Sequence, residues 1–190
     1  MKDEIARQIR ESIAVKEQLL EVGVETIARM AEVLRRAMCR GNKMLLCGNG
    51  GSAADCQHLA GEIVGRFRRE RKALPAIALT TDTSILTAIG NDYGFDRVFA
   101  RQVEAHAVEG DVVMGFSTSG NSKNVIEALK AGKSVGCATL AFTGGTGGKM
   151  ADLADLALVV PSSETCRIQE SHITVGHILC DLVEAAACER

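Results

Sequence analysis

The chain has 190 residues, 46% of them hydrophobic, and a formal net charge of −2. That is enough for one compact domain with its own core and too apolar for a disordered segment. Scattered Lys and Arg, one Tyr, five Phe and no Trp exclude a nucleic-acid binder that works through a basic footprint or base-stacking platforms. The opening MKDEIARQIR has no apolar signal core, and no stretch approaches the roughly 20 apolar residues that span a bilayer. Seven cysteines, Cys39, Cys47, Cys56, Cys137, Cys166, Cys180 and Cys188, form no C-x-x-C pair. An odd number with apolar neighbours fits free thiols in a reducing compartment. The expectation is a cytoplasmic protein with no membrane or nucleic-acid partner.

Residues 3–40 hold no Pro and no Gly except Gly23. Ile5, Ile9, Ile13, Leu19 and Leu20, then Val24, Ile27, Met30 and Leu34, recur near helical spacing. Two helices broken at Gly23 are predicted. They carry more apolar surface than one layer of an α/β domain needs, so residues 1–40 are expected to serve oligomerisation. After Gly41, apolar runs at Met44–Cys47, Ala76–Leu79, Val112–Phe116, Val135–Phe142 and Leu156–Val160 alternate with helical patterns near 52–65, 83–90, 95–107, 122–133, 148–153 and 165–188. Strands apolar throughout and separated by helices predict a doubly wound parallel sheet of about five strands in a single domain. There is no linker, repeat or low-complexity segment.

In such folds ligands bind beyond the carboxyl ends of the strands. Three of those ends carry glycine- and hydroxyl-rich turns: Gly48–Ser52, Ser117–Ser122 and Thr143–Gly148. Ser117-Thr118-Ser119-Gly120-Asn121-Ser122 opens a helix, and hydroxyls beside N-terminal amides form a phosphate socket without lysine. A lone serine cap would need only one of them. Neither turn matches the Walker pattern, which disfavours a nucleotide triphosphatase. Gly48-Asn49-Gly50-Gly51-Ser52-Ala53 satisfies G-x-G-x-x-A, yet the acidic residue expected about 20 positions on is missing, Asp82 being too distant.

The helix after the first turn places His58 and Glu62 four residues apart on one face. Surface pairing would explain that alone, but the last helix carries Gln169 and His177, eight residues apart. Two His, a carboxylate and an amide oxygen suit Zn²⁺, with Asp55 able to orient the His58 ring. His172 faces partly elsewhere. RFRRERK, Arg66–Lys72, has the composition of a solvated loop, and Asn91-Asp92-Tyr93-Gly94 that of a turn.

CGNGGSAADCQHLAGE, LTTDTSILTAIGNDYGFDRVFARQVEA, STSGNSKNV and RIQESHITVGHILCDLVE together resemble the bacterial phosphoheptose isomerases of the sugar-isomerase (SIS) fold, colinearly over almost the whole chain. The resemblance implies a flavodoxin-like SIS domain that converts D-sedoheptulose 7-phosphate to D-glycero-D-manno-heptose 7-phosphate, the first step of nucleotide-activated heptose and lipopolysaccharide synthesis. It also implies a homotetramer with sites between subunits. By position it assigns Asn49, Gly50, Gly51, Asn91, Asp92, Ser117, Thr118, Ser119 and Ser122 to the sugar phosphate. It assigns His58, Glu62, Gln169 and His177 to one zinc ion per subunit, with Glu62 and Gln169 also touching substrate. The third turn, unusually rich in glycine, and Cys166 depart from the family pattern.

Aldose–ketose isomerisation moves a proton between adjacent carbons through an enediol(ate). Glu62 is the expected base on carbon and His177 the acid–base on oxygen. The competing expectation is a non-catalytic SIS-fold tetramer that binds a replication initiator, a role with no need for His58, Glu62, Gln169 and His177 together.

Overall fold

The structure, a computed structural model, describes residues 1–188. In chain order it runs α1 (Lys2–Val22), α2 (Val24–Cys39), β1 (Met44–Gly48), α3 (Gly51–Val64), β2 (Ala76–Ala78), α4 (Thr83–Tyr93), a 3₁₀ turn (Phe95–Arg97), α5 (Ala100–His106), β3 (Val112–Phe116), α6 (Lys123–Val135), β4 (Ala138–Gly144), α7 (Gly148–Leu153), β5 (Leu156–Val160) and α8 (Thr165–Cys188). The five strands are all parallel in the order β2-β1-β3-β4-β5. This is the doubly wound sheet that the apolar runs predict, and its order reverses between β1 and β3, where a crevice opens.

Side-chain alternation along the strands builds two cores. Met44 and Leu46 of β1, Met114 and Phe116 of β3, and Leu140 and Phe142 of β4 point to one side, under α1, α2, α3 and α8. Leu45, Cys47, Val113 and Ala141 point to the other, where Val103 of α5, Val125 and Leu129 of α6 and Met150 of α7 cover them. α1 buries Leu19 alone. Ile5, Ile9, Ile13 and Leu20 stay exposed, as do Val24 of α2 and Ile178 and Leu182 of α8.

Three local expectations change. The apolar run predicted as a strand from Val135 is helical at its start: α6 continues through Val135, Gly136 ends it in the left-handed conformation (φ 89°), and β4 begins at Ala138. A glycine just past a helix is a stop signal, and here it outweighs the apolar pattern. The helix expected over 95–107 divides into the 3₁₀ turn and α5. Asn91-Asp92-Tyr93 is the last turn of α4 rather than a loop. The six cysteines up to Cys180 are unpaired by any disulfide, while the side chain of Cys188 lies outside the described residues. Among the described residues no helix is long and apolar enough to cross a membrane.

Candidate active site

β1 and β3 are neighbours in register, Gly48 opposite Phe116, so the turns that follow them stand side by side at the crevice. A reciprocal amide pair joins them: Asn49 Nδ2 donates to Asn124 Oδ1 (3.0 Å) and Asn124 Nδ2 to Asn49 Oδ1 (2.8 Å). Asn124, buried in the first turn of α6, carries no signal in the sequence beyond its place after the hydroxyl-rich turn. Asn49, expected to hold sugar, is therefore first a tie between loops. Gly50 occupies the N-cap position of α3 with φ 55° and no side-chain cap.

The Ser117–Ser122 turn is folded on itself. Ser117 Oγ lies 2.8 Å from Ser122 Oγ and 3.4 Å from Ser119 Oγ. Ser122 occupies the N-cap position of α6, yet its hydroxyl makes no cap bond to the helix. It turns to Ser117 instead, and the Asn124 Oδ1 takes the Val125 N–H (3.0 Å), so no serine hydroxyl covers the amide end of the helix. A serine that merely capped would do the reverse. The third turn buttresses this one. Met150 N–H donates to Gly120 O (3.0 Å) and Lys149 N–H to Asn121 Oδ1 (3.2 Å). A Cβ on Gly120, whose φ is 65°, would sit 1.9 Å from Gly147 O. Gly148 likewise serves close backbone approach, since a Cβ there would sit 2.5 Å from Ser119 O of the neighbouring turn.

α3 and α8 bring the titratable groups together. His58 Nε2 and His177 Nε2 are 2.8 Å apart, so one ring donates and the other accepts. Glu62 Oε1 lies 3.5 Å from His58 Nε2. His58 is 47% exposed at its side chain and Glu62 23%. Gln169 reaches the same region: its Nε2 donates to Asp55 Oδ1 (3.4 Å), and its amide lies where a Cβ on Gly51 would be, within 2.6–2.8 Å. Gly51 is thus a space for Gln169. Burial raises the Asp55 carboxyl pKa above its ordinary range against the Gln169 bond, and Asp55 Oδ2 is buried with no partner. Asp55 therefore orients Gln169, not His58 as expected.

Two imidazole nitrogens, a carboxylate, and an amide oxygen left unbonded by the Asp55 contact form a donor set that suits a cation of zinc's character. The donors are present without being drawn into a cage: among the described residues no three His, Cys, Asp or Glu side chains converge as a metal cluster. Tetrahedral ligation would need the two His nitrogens about 3.3 Å apart, slightly wider than they stand.

Asn91 and Asp92 are exposed at the end of α4, and Asn91 Nδ2 donates to Asp92 Oδ1 (2.8 Å) rather than to either turn. His172 is fully buried between Phe116 and Phe142, its Nε2 3.0 Å from Thr143 O, and burial depresses its pKa to about 4. Two sizeable clefts of the isolated chain, about 600 Å³ beside Arg35, Met38 and Leu74 and about 460 Å³ along Ile13, Leu20, Val24, Ile178 and Leu182, are lined by other residues.

The SIS domain model matches residues 8–144. The chain is 56% identical over 190 residues to the phosphoheptose isomerase of Aquifex aeolicus, covering 100% of both chains. It is 59% identical over 184 residues to that of Geobacter sulfurreducens, covering 97% of each. The solved phosphoheptose isomerase of Neisseria gonorrhoeae superposes with a TM-score of 0.92 at 47% identity, over 97% of this chain and 98% of that one. The sugar isomerase domain of an RpiR transcription factor from Sphaerobacter thermophilus, at 20% identity and a TM-score of 0.66, shares the fold.

Proposed function

The chain belongs to the phosphoheptose isomerases of the SIS-domain family, and from that premise we propose that it interconverts D-sedoheptulose 7-phosphate and D-glycero-D-manno-heptose 7-phosphate in the cytoplasm, opening the route to nucleotide-activated heptose and lipopolysaccharide. The observation that supports this best is the meeting of His58 with two partners, His177 Nε2 at 2.8 Å from a helix 119 residues further along the chain and Glu62 Oε1 at 3.5 Å on its own helix.

The Ser117, Thr118, Ser119 and Ser122 hydroxyls and the open end of α6 take the phosphate, with Asn49, Gly50, Gly51, Asn91 and Asp92 around the sugar. Holding the phosphate fixes the distance to the reacting carbons. Glu62 removes the proton from C1 of the ketose and returns it to C2, forming and collapsing an enediol(ate). His177 takes the O1 hydroxyl proton and gives one to O2. Gln169 holds a hydroxyl of the chain. His58, Glu62, Gln169 and His177 would hold one zinc ion per subunit, which when bound supplies Lewis-acid polarisation of the carbonyl. The exposure of His58 and the apolar stripe of α1, α2 and α8 support a homotetramer in which neighbouring subunits close the sites. A non-catalytic tetramer binding a replication initiator would have no use for the His58–Glu62–His177 cluster.

Glu62→Gln should bind sedoheptulose 7-phosphate yet lose both turnover, followed by NMR, and hydrogen exchange between substrate and solvent. Wild-type exchange in that variant would remove Glu62 from the role of base.

A further inference from the structure

His177 and Glu184 are seven residues apart on α8, two helical turns, and so lie on one face. The segment after α3 passes over that face. It is the charge run RFRRERK, yet it is not a freely solvated loop. The Glu184 carboxylate, 0% exposed at its side chain, accepts the backbone N–H groups of Phe67 (2.8 Å), Arg68 (2.7 Å) and Arg69 (2.8 Å). Arg71, 2% exposed, brings its Nε within 3.4 Å of the same carboxylate and donates to the carbonyls of Glu62 (3.0 Å) and Gly65 (3.0 Å), closing the end of α3. A buried carboxylate persists only when its lone pairs are taken, and here a single loop takes them.

The one apolar side chain in that run points inward. The Phe67 ring stacks on His177, centroids 5.5 Å apart and planes 20° from parallel. An imidazole turns readily about its terminal torsion, and a flat neighbour restricts that rotation to the orientation in which His177 Nε2 faces His58 Nε2.

We propose that Phe67 is a positioning residue for His177 and that Glu184 holds Phe67 over the ring, so that α8 sets the aim of its own proton carrier through the loop that follows α3. The inference rests on the assignment of His177 to proton transfer on oxygen.

The test compares Phe67→Leu, which keeps bulk but removes the ring, with Phe67→Tyr, which keeps the ring. Phe67→Leu should lower kcat roughly tenfold with KM within about twofold of wild type, as expected when reacting groups are misaimed without loss of binding. In NMR spectra of the histidine rings, the ring-current shift of the His177 protons should vanish in Phe67→Leu and persist in Phe67→Tyr, which should also retain kcat. Glu184→Gln should move the same protons in the same direction, and adding Phe67→Leu to it should lower kcat no further. Wild-type kcat in Phe67→Leu, a rise in KM alone, or unchanged His177 resonances would overturn the proposal. If Glu184→Gln does not fold, the Leu and Tyr pair decides. Full activity in His177→Gln would instead remove the assignment of His177, and the ring-proton shifts would still report whether Phe67 orients the imidazole.

Discussion

The two halves of the crevice are built in opposite ways. The hydroxyl turn after β3 is locked: its serines bond to one another, Asn124 ties it to the turn after β1, and Gly120 and Gly148 meet the facing backbone with no room for a Cβ. The half that carries His58, Glu62 and His177 is open. Its groups sit on two helix faces, partly in solvent, and touch one another and the Phe67 ring. On the proposed reaction, a phosphate is the same group in substrate and product and rewards a rigid socket. In that proposed reaction the groups that pass protons between two carbons and two oxygens must serve several positions in turn, and such groups are aimed rather than locked.

Breaking the locked half should have the largest effect. Gly120→Ala forces a side chain onto Gly147 O at a positive φ and should destabilise the protein by at least about 2 kcal/mol, seen as a fall in thermal midpoint with a KM increase for sugar phosphate that exceeds any loss of kcat. A fall in kcat alone would mean that the turn is no binding scaffold. Asn124→Ala removes both amide bonds and leaves Asn49 unpaired, a loss of about 1–3 kcal/mol. KM should rise several-fold while hydrogen exchange on bound substrate continues. The third effect concerns pH and is absent at neutrality. His172, beneath the locked turn, has a folded pKa of about 4 against an ordinary 6.5. Its contribution to stability is therefore present above about pH 6.5 and is lost as pH falls toward 4, because the unfolded chain takes the proton first. Denaturant unfolding across that window should show the decline, and His172→Gln should flatten it.

Much of this architecture is visible in the residues. Strands apolar throughout, the break at Gly23 and the amphipathic last helix follow from periodicity, and the crevice follows from three glycine-rich turns. His58 and Glu62 are legible because helical spacing is local. Partners brought by tertiary packing are not. Asn124 looks like any polar residue in a first helical turn, and nothing local says that its amide meets Asn49. Glu184 looks like surface charge near a helix end, and RFRRERK like solvent-facing sequence. Phe67, alone among six charges, was the available signal that the run is docked. The start of β4 was hidden because Val135 and Cys137 are as apolar as the strand they precede, although Gly136 marked the helix end.

The meeting of His58 and His177 across 119 residues also has a consequence for biosynthesis. α8 follows every other described element in the chain, and Leu19, Ile27 and Leu34 of α1 and α2 share a core with its Val175, Leu179 and Val183. The earliest helices must wait for the latest one, an arrangement that slows folding through long loop closure. A growing chain can hold both turns of the crevice long before it holds His177. On the proposed assignment of His177, a product of synthesis interrupted before α8 would hold both turns of the crevice and still be unable to isomerise sugar.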